Sequence, residues 1–188
     1  MTVKRRKDTR VQRVFMHKLA DIRGGVSVKT SELGGDYLRE GAVLSAPDNG
    51  ICHVVKYAVV AADVGSSDTE IKVKKLHNFS VGDYVMADEG GKAYAITAID
   101  ESAKDYDTIT VGTTLGVEIS EGGFIIEAAA ESSGSDSALK YTPLTLVGTG
   151  KPVLPDTNLD TDAWLIGVTK GNPLPDCIAS HLTGIINY

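Results

Sequence analysis

Phe79-Ser-Val-Gly82-Asp-Tyr-Val85 decides the fold, because it is one of four stretches with the same order: apolar, any, any, Gly or Asp, any, apolar, apolar. The others are Leu38-Arg-Glu-Gly41-Ala-Val-Leu44, Ile119-Ser-Glu-Gly122-Gly-Phe-Ile125 and Leu159-Asp-Thr-Asp162-Ala-Trp-Leu165, so the turn residues stand 41, 40 and 40 positions apart. Gly or Asp tolerates the backbone angles of a tight turn, and the flanking apolar residues tie both of its arms into one core. The copies are either true repeats or convergence on one turn-to-strand geometry, and the looseness of the match favours convergence. Both readings predict a β scaffold.

Outward from the turns the chain alternates. Val26, Val28, Val43-Leu44, Ile51, His53, Val55, Tyr57 and Val59 mark strands, with Pro47-Asp48-Asn49-Gly50 as a hairpin turn. Gly91 follows Gly82 by nine residues, as Gly50 follows Gly41. Tyr94, Ile96 and Ala98 lead through Asp100 to Asp107 into Ile109, Thr110 and Val111, as an antiparallel meander would. Residues 128–138 are small and polar, which predicts a flexible loop or an internal boundary. Ala163 to Val168 reads as the last strand, and the apolar Ile178 to Tyr188 as a docked C-terminal stretch. The expected fold is all-β: antiparallel hairpins forming a small barrel or sandwich-like body over residues 24–188, behind a basic N-terminal arm at 1–23.

At 188 residues the chain is long enough to bury about 70% of its unfolded surface as one domain. Hydrophobic content of 42%, mean hydropathy of −0.04 and 20 Gly suit a globular β protein better than a helical bundle. The net charge of −6 conceals a split: residues 1–24 carry eight Lys or Arg against Asp8 and Asp21, and the remainder is acidic by twelve. Such an arm meets an acidic protein surface or nucleic acid, and the acidic body disfavours the latter.

Within the arm, Val11, Val14, Phe15, Leu19 and Ile22 recur at helical spacing, with Asp8 or Thr9 as a cap and Gly24-Gly25 as a stop. Lys18 interrupts that stripe, so a short amphipathic helix and an extended arm that orders on a partner both fit. Gln12, Arg13, His17 and Lys18 break the apolar run that a signal peptide needs behind Lys4 to Lys7. No stretch approaches the roughly 20 apolar residues of a membrane span. Cys52 and Cys177 lack paired spacing, which fits free thiols in a chain made in a reducing cytoplasm.

Motifs for chemistry are sparse, and no cofactor or metal is expected. Asp156, Asn158, Asp160 and Asp162 begin like a calcium loop, but Thr161 stands where the loop needs Gly and Gly167 where it needs Glu. Leu146 to Pro152 lacks the first Gly of a phosphate loop, and Pro152 replaces its Ser or Thr. His17, His53, His77 and His181 form no zinc-like pair, and Cys52 and His53, adjacent on a strand, point to opposite faces. With no nucleophile elbow and no evident acid–base pair, the expectation is not an enzyme. Tyr57, Tyr84, Tyr94, Tyr106, Tyr141 and Trp164 offer an alternative, a sugar-binding surface, although core packing is the commoner fate of strand aromatics.

The stretches Gly24-Gly-Val-Ser-Val28, Leu76 to Asp83, Gly90 to Asp100 and Tyr106 to Gly116 resemble the head fibre proteins of tailed bacteriophages and of prophages of gut bacteria. Ser137 to Pro143 and Gly184 to Tyr188 are similar to the same family, so the resemblance covers nearly the whole chain after the arm. It implies a virion structural protein on the outer surface of the capsid, trimeric, with its N-terminal region toward the shell and the major capsid protein as partner. Lys4, Arg5, Arg6, Lys7, Arg10 and Arg13 would then face an acidic capsid surface, and Val14, Phe15, Leu19 and Ile22 would bury against it or against sister arms. The alternative is a carbohydrate-binding module or adhesin that recognises host or mucus glycans.

Overall fold

The computed structural model describes residues 13–154 and 157–188. Strands follow one another with little helix between them. The first eight are β1 (Phe15–Asp21), β2 (Val26–Val28), β3 (Tyr37–Leu38), β4 (Val43–Ser45), β5 (Ile51–Cys52), β6 (Tyr57–Val59), β7 (Glu70–Lys74) and β8 (Tyr84–Met86). The rest are β9 (Ala93–Asp100), β10 (Tyr106–Val111), β11 (Phe124–Ala128), β12 (Pro143–Val147), β13 (Lys151–Pro152), β14 (Leu159–Thr161), β15 (Ala163–Thr169) and β16 (Ile185–Asn187), with α1 (Asp176–Ala179) between the last two.

The repeated turn is real in three of its four places. The carbonyls of Arg39, Ser80 and Ser120 accept from the N–H groups of Ala42, Asp83 and Gly123 at 3.2, 3.1 and 2.9 Å. Gly41, Gly82 and Gly122 sit between them at φ of 79°, 95° and 87°, the left-handed third position that a type II turn reserves for glycine. Each of these glycines also donates its N–H across the sheet, to Val147, Ile96 and Val60 respectively. Leu38, Phe79 and Ile119, the apolar residues that open the pattern, are all buried. Asp162 departs from the pattern. It makes no turn but separates β14 from β15, and its carboxylate accepts from Trp164 Nε1 at 2.8 Å.

Two sheets dominate. A six-stranded sheet runs β6-β11-β8-β9-β10-β7, every pairing antiparallel, and curls so far that Val60 bridges back to Val73. One isolated bridge rather than a ladder spans that gap, so the barrel is not closed. Period-2 alternation builds its interior: β7 buries Ile71 and Val73, and β10 buries Asp107, Ile109 and Val111. The four apolar residues join Val85, Ile96 and Ile125 in one hydrophobic cluster, while the Asp107 carboxylate pairs with Lys75 and His77. The second sheet runs β1-β15-β12-β4, with β16 added in parallel to β15. Its buried strands separate two further clusters, one around Leu146 and Ile126 and one around Val147 and Leu44.

Two expectations change. The helical spacing from Val14 to Ile22 does not form a helix, because residues 15–21 pair antiparallel with β15 and belong to the body. The body therefore starts at Val14, 1% exposed, and not at residue 24. Residues 128–138, expected to be a free loop, are stitched down: Ala129 N donates to Ala138 O, Gly90 N to Ser137 O, and Ser132 and Ala93 exchange backbone bonds. Ala128 packs in the core and Ser132 and Ser137 are buried, so the stretch belongs to the body.

Candidate functional site

β1 closes one edge of its sheet and breaks the burial rules of the rest of the protein. Its register against β15 slips between Phe15 and His17 and again between Lys18 and Ala20, so Met16 and Leu19 are the extra residues of two bulges. A bulge bends the strand and re-aims a side chain. Met16 is 55% exposed and Leu19 72% exposed. The neighbouring strands add Ile166 and Ile186, and Tyr188 follows, all exposed, so five of the nine large exposed apolar side chains belong to this corner. Contiguous exposed apolar surface marks an interaction face. The bulges also blunt the open edge against strand addition.

Among the residues predicted to dock, Lys4, Arg5, Arg6, Lys7 and Arg10 lie outside the described residues. Arg13 is exposed at the foot of β1. Val14 is core, Phe15 packs against the cluster around Leu146 and Ile126 and beside Trp164, and Ile22 packs against the cluster around Val28. Of the four apolar docking residues, only Leu19 presents itself to solvent; Met16, its partner in exposure, was missed because it falls outside the helical stripe. The order of the strand at its base comes from Glu40, whose Oε1 accepts from the N–H groups of Val14 and Phe15 at 3.1 and 3.0 Å. Lys18, the interruption in the stripe, lies 5.3 Å from the ring centres of both Phe15 and Trp164 and donates to Gly148 O at 2.6 Å.

Three polar clusters were not foreseen. Lys56, 2% exposed, reaches Asp83 Oδ2 at 2.6 Å and Glu127 Oε1 at 3.3 Å, and Lys140 meets the same Oε1 at 2.9 Å. Asp83 Oδ2 also accepts from the Ser80 N–H, which ties the repeated turn to this network. Burial pushes the Glu127 carboxyl up, against the pull of Lys56 and Lys140, and its Oε2 has no partner. A lone charge in Val54-Val-Lys-Tyr-Ala-Val-Val60 and another in Phe124-Ile-Ile-Glu-Ala128 was the available signal.

The second cluster centres on Glu32, which accepts from Tyr141 Oη at 3.0 Å, contacts His53 Nδ1 at 2.9 Å and pairs with Lys29 at 2.9 Å. His53 stacks on Tyr141 with ring centres 4.2 Å apart. Partial burial works to raise the Glu32 carboxyl, and Lys29, His53 and Tyr141 outweigh it and bring it down to about 2. Burial and the bond to Glu32 push the Tyr141 hydroxyl up to about 12. In the third, buried His77 accepts from the Phe79 N–H at 3.0 Å on Nδ1, which leaves Nε2 protonated and facing Asp107 at 3.4 Å. Lys75 pairs with the same carboxylate, and burial pushes the imidazole down despite Asp107. Leu76 and Asn78, on either side of His77, sit at φ of 68° and 63°.

The aromatics considered for sugar binding do not form an exposed platform. Tyr57 is buried, and Tyr84, Tyr94, Tyr106, Tyr141 and Trp164 are half-buried. Among the described residues no His, Cys, Asp and Glu group could hold a metal ion, and no helix is long and apolar enough to cross a membrane. No family model, curated protein or solved structure matches the chain.

Proposed function

We propose that the protein is a structural component of a virion, a head fibre or decoration protein held on the outer capsid surface, and that it acts by docking rather than catalysis. The observation that carries this reading is the pair of bulges that turn Met16 and Leu19 outward on an edge strand entered directly from a basic segment. Apolar anchors beside complementary charge are what a protein interface uses for affinity and for orientation. The resemblance to head fibre proteins supplies the partner, the major capsid protein, and a homotrimeric state. Three weak anchors on one rigid body engage together and hold far more firmly than one.

The test replaces Met16 and Leu19 by serine in the full-length chain and measures its incorporation into particles. The expected result is an unchanged melting transition with decoration reduced at least tenfold. Normal decoration by that variant overturns the reading. Deleting residues 15–21 is no substitute, because it removes a paired strand of the body.

A further inference from the structure

Lys56 stands between two carboxylates inside the six-stranded sheet. It immediately precedes β6, Asp83 immediately precedes β8, and Glu127 lies on β11, which runs between those two strands. The Glu127 N–H donates to the Lys56 carbonyl at 2.9 Å, so the two residues are cross-strand neighbours. Lys56 Nζ reaches Asp83 Oδ2 at 2.6 Å and Glu127 Oε1 at 3.3 Å. Lys56 and Glu127 are 2% and 1% exposed, and their neighbours Val55, Tyr57, Val85, Ile126 and Ala128 are all buried.

Three features suit this set to chemistry as well as to packing. An amine and a carboxyl group held in contact within a dry interior have a very high effective concentration toward each other. Burial pushes the Glu127 carboxyl up despite Lys56 and Lys140, which makes it a carrier for protons, and its Oε2 has no other partner to give up. The Ser80 N–H donates to Asp83 Oδ2 at 2.8 Å, the oxygen on which negative charge gathers when the carboxyl carbon is attacked. Lys140 also reaches Glu127 Oε1, but its side chain is 31% exposed; burial pulls its ammonium down and Glu127 outweighs burial and pushes it up. Lys140 therefore stays a cation, and Lys56 is the amine in the dry site.

We propose that the folded chain joins Lys56 to Asp83 through an intramolecular amide bond, with Glu127 as the proton carrier. Glu127 takes one proton from the Lys56 ammonium and passes it to Asp83 Oδ1. The neutral Nζ then gives its lone pair to Asp83 Cγ, which forms the C–N bond and places an oxyanion on Oδ2. Glu127 moves a second proton from Nζ to Oδ1, the Cγ–Oδ1 bond breaks with its electron pair, and Oδ1 leaves as water. One ammonium and one carboxylate become one amide and one water, so the balance closes without an oxidant or a second substrate. The bond fastens β6 to β8 across β11, between residues 27 apart in the chain. The ion pairs are its reactant state, so the stability that Lys56 contributes as a cation belongs to the chain before the bond forms. The reaction occurs once per chain and acts on nothing outside it, so it is independent of the docking reading.

The full-length chain is folded, held at pH 7 for a day, denatured and weighed by mass spectrometry, then digested and mapped. The N-terminus is read from the same digest, so that removal of Met1 does not enter the comparison. The expected mass lies one water molecule below that of the sequence, and the loss maps to a branched peptide that joins Lys56 to Asp83. Glu127→Gln keeps the side chain's shape without its proton chemistry, Asp83→Ala removes the carbon that is attacked, and both should show the full sequence mass. The wild-type measurement decides by itself where a variant does not fold. Full sequence mass in the folded wild type, a lost water that maps to any other pair of residues, or a bond that still forms in Glu127→Gln each overturns the proposal. Particle decoration does not enter this readout, so the two proposals fail separately.

Discussion

The curled six-stranded sheet and the edge strand β1 draw on the same residue types and use them in opposite ways. In the sheet, strict alternation sends Ile71, Val73, Ile109 and Val111 into one dry cluster, and polar neighbours face out. In β1, two bulges within five residues break the alternation, and Met16 and Leu19 emerge into solvent while Phe15 turns in. Val81 and Leu154 show that single exposed apolar groups occur elsewhere too, but among the described residues only this corner gathers Met16, Leu19, Ile166, Ile186 and Tyr188 together. The contrast sets surface that the fold accounts for against surface that the proposed docking would account for, and each substitution below tests one side of it.

The largest effect is expected inside the curled sheet. Removing Lys56 leaves Asp83 and Glu127 in a nearly dry site without their shared cation. Breaking a buried pair from one side typically costs about 3–5 kcal/mol, so Lys56→Ala should lose that much in urea unfolding at pH 7. Burial already holds the Glu127 pKa above its ordinary value, and losing the cation raises it further. The sign follows: a raised folded pKa adds stability below the unfolded value near 4.5, so the deficit of Lys56→Ala should shrink as pH falls toward 4. A deficit below about 1 kcal/mol would show the network to be dispensable.

Next comes the turn itself. Gly82 holds φ at 95° and a methyl group there meets nothing within 4 Å, so Gly82→Ala isolates the conformational cost of about 1–2 kcal/mol. Asp162→Ala, at the fourth copy of the pattern, should show no such backbone cost and instead lose the bond to Trp164. Guanidinium unfolding of both variants distinguishes three genuine turns from four.

That difference also marks what the sequence could reveal. Gly41, Gly82 and Gly122 are legible because a left-handed turn position has few chemical solutions, whereas Asp has several uses and at 162 takes another. β10 is legible because its alternation is unbroken. β1 is not: each bulge inserts one residue, which stretches the period from two toward three and imitates a helical stripe from Val14 to Ile22. The polar clusters are out of reach for a different reason, since Glu32, His53 and Tyr141 meet across more than 100 residues of chain. Spacing in sequence carries no information about such a meeting.

Glu32 gives a smaller effect, readable through pH. Its pKa of about 2 in the fold, against 4.5 unfolded, means that its contribution is complete above 4.5 and is lost as pH falls through about 2. Glu32→Gln should therefore be less stable than the wild type at pH 6, and the two should converge between pH 4.5 and 2 when followed by circular dichroism in urea. A gap that stays constant over that range would mean that the carboxylate holds His53, Lys29 and Tyr141 no better than an amide does.

The smallest expected effect is the most discriminating. Leu19→Ala removes a side chain that is 72% exposed and, as the extra residue of a bulge, has no direct cross-strand partner. Surface changes of this kind fall within about 0.5 kcal/mol of the wild type. Ile109→Ala, the same truncation of an aliphatic chain in the fully buried cluster, should cost about 2–5 kcal/mol because it opens a cavity. If Leu19→Ala approaches the cost of Ile109→Ala, Leu19 belongs to the fold and its exposure is no argument for a partner. If it costs nothing, the Leu19 side chain has no folding role, and the particle-incorporation assay on the Met16 and Leu19 variant decides whether the proposed partner uses it.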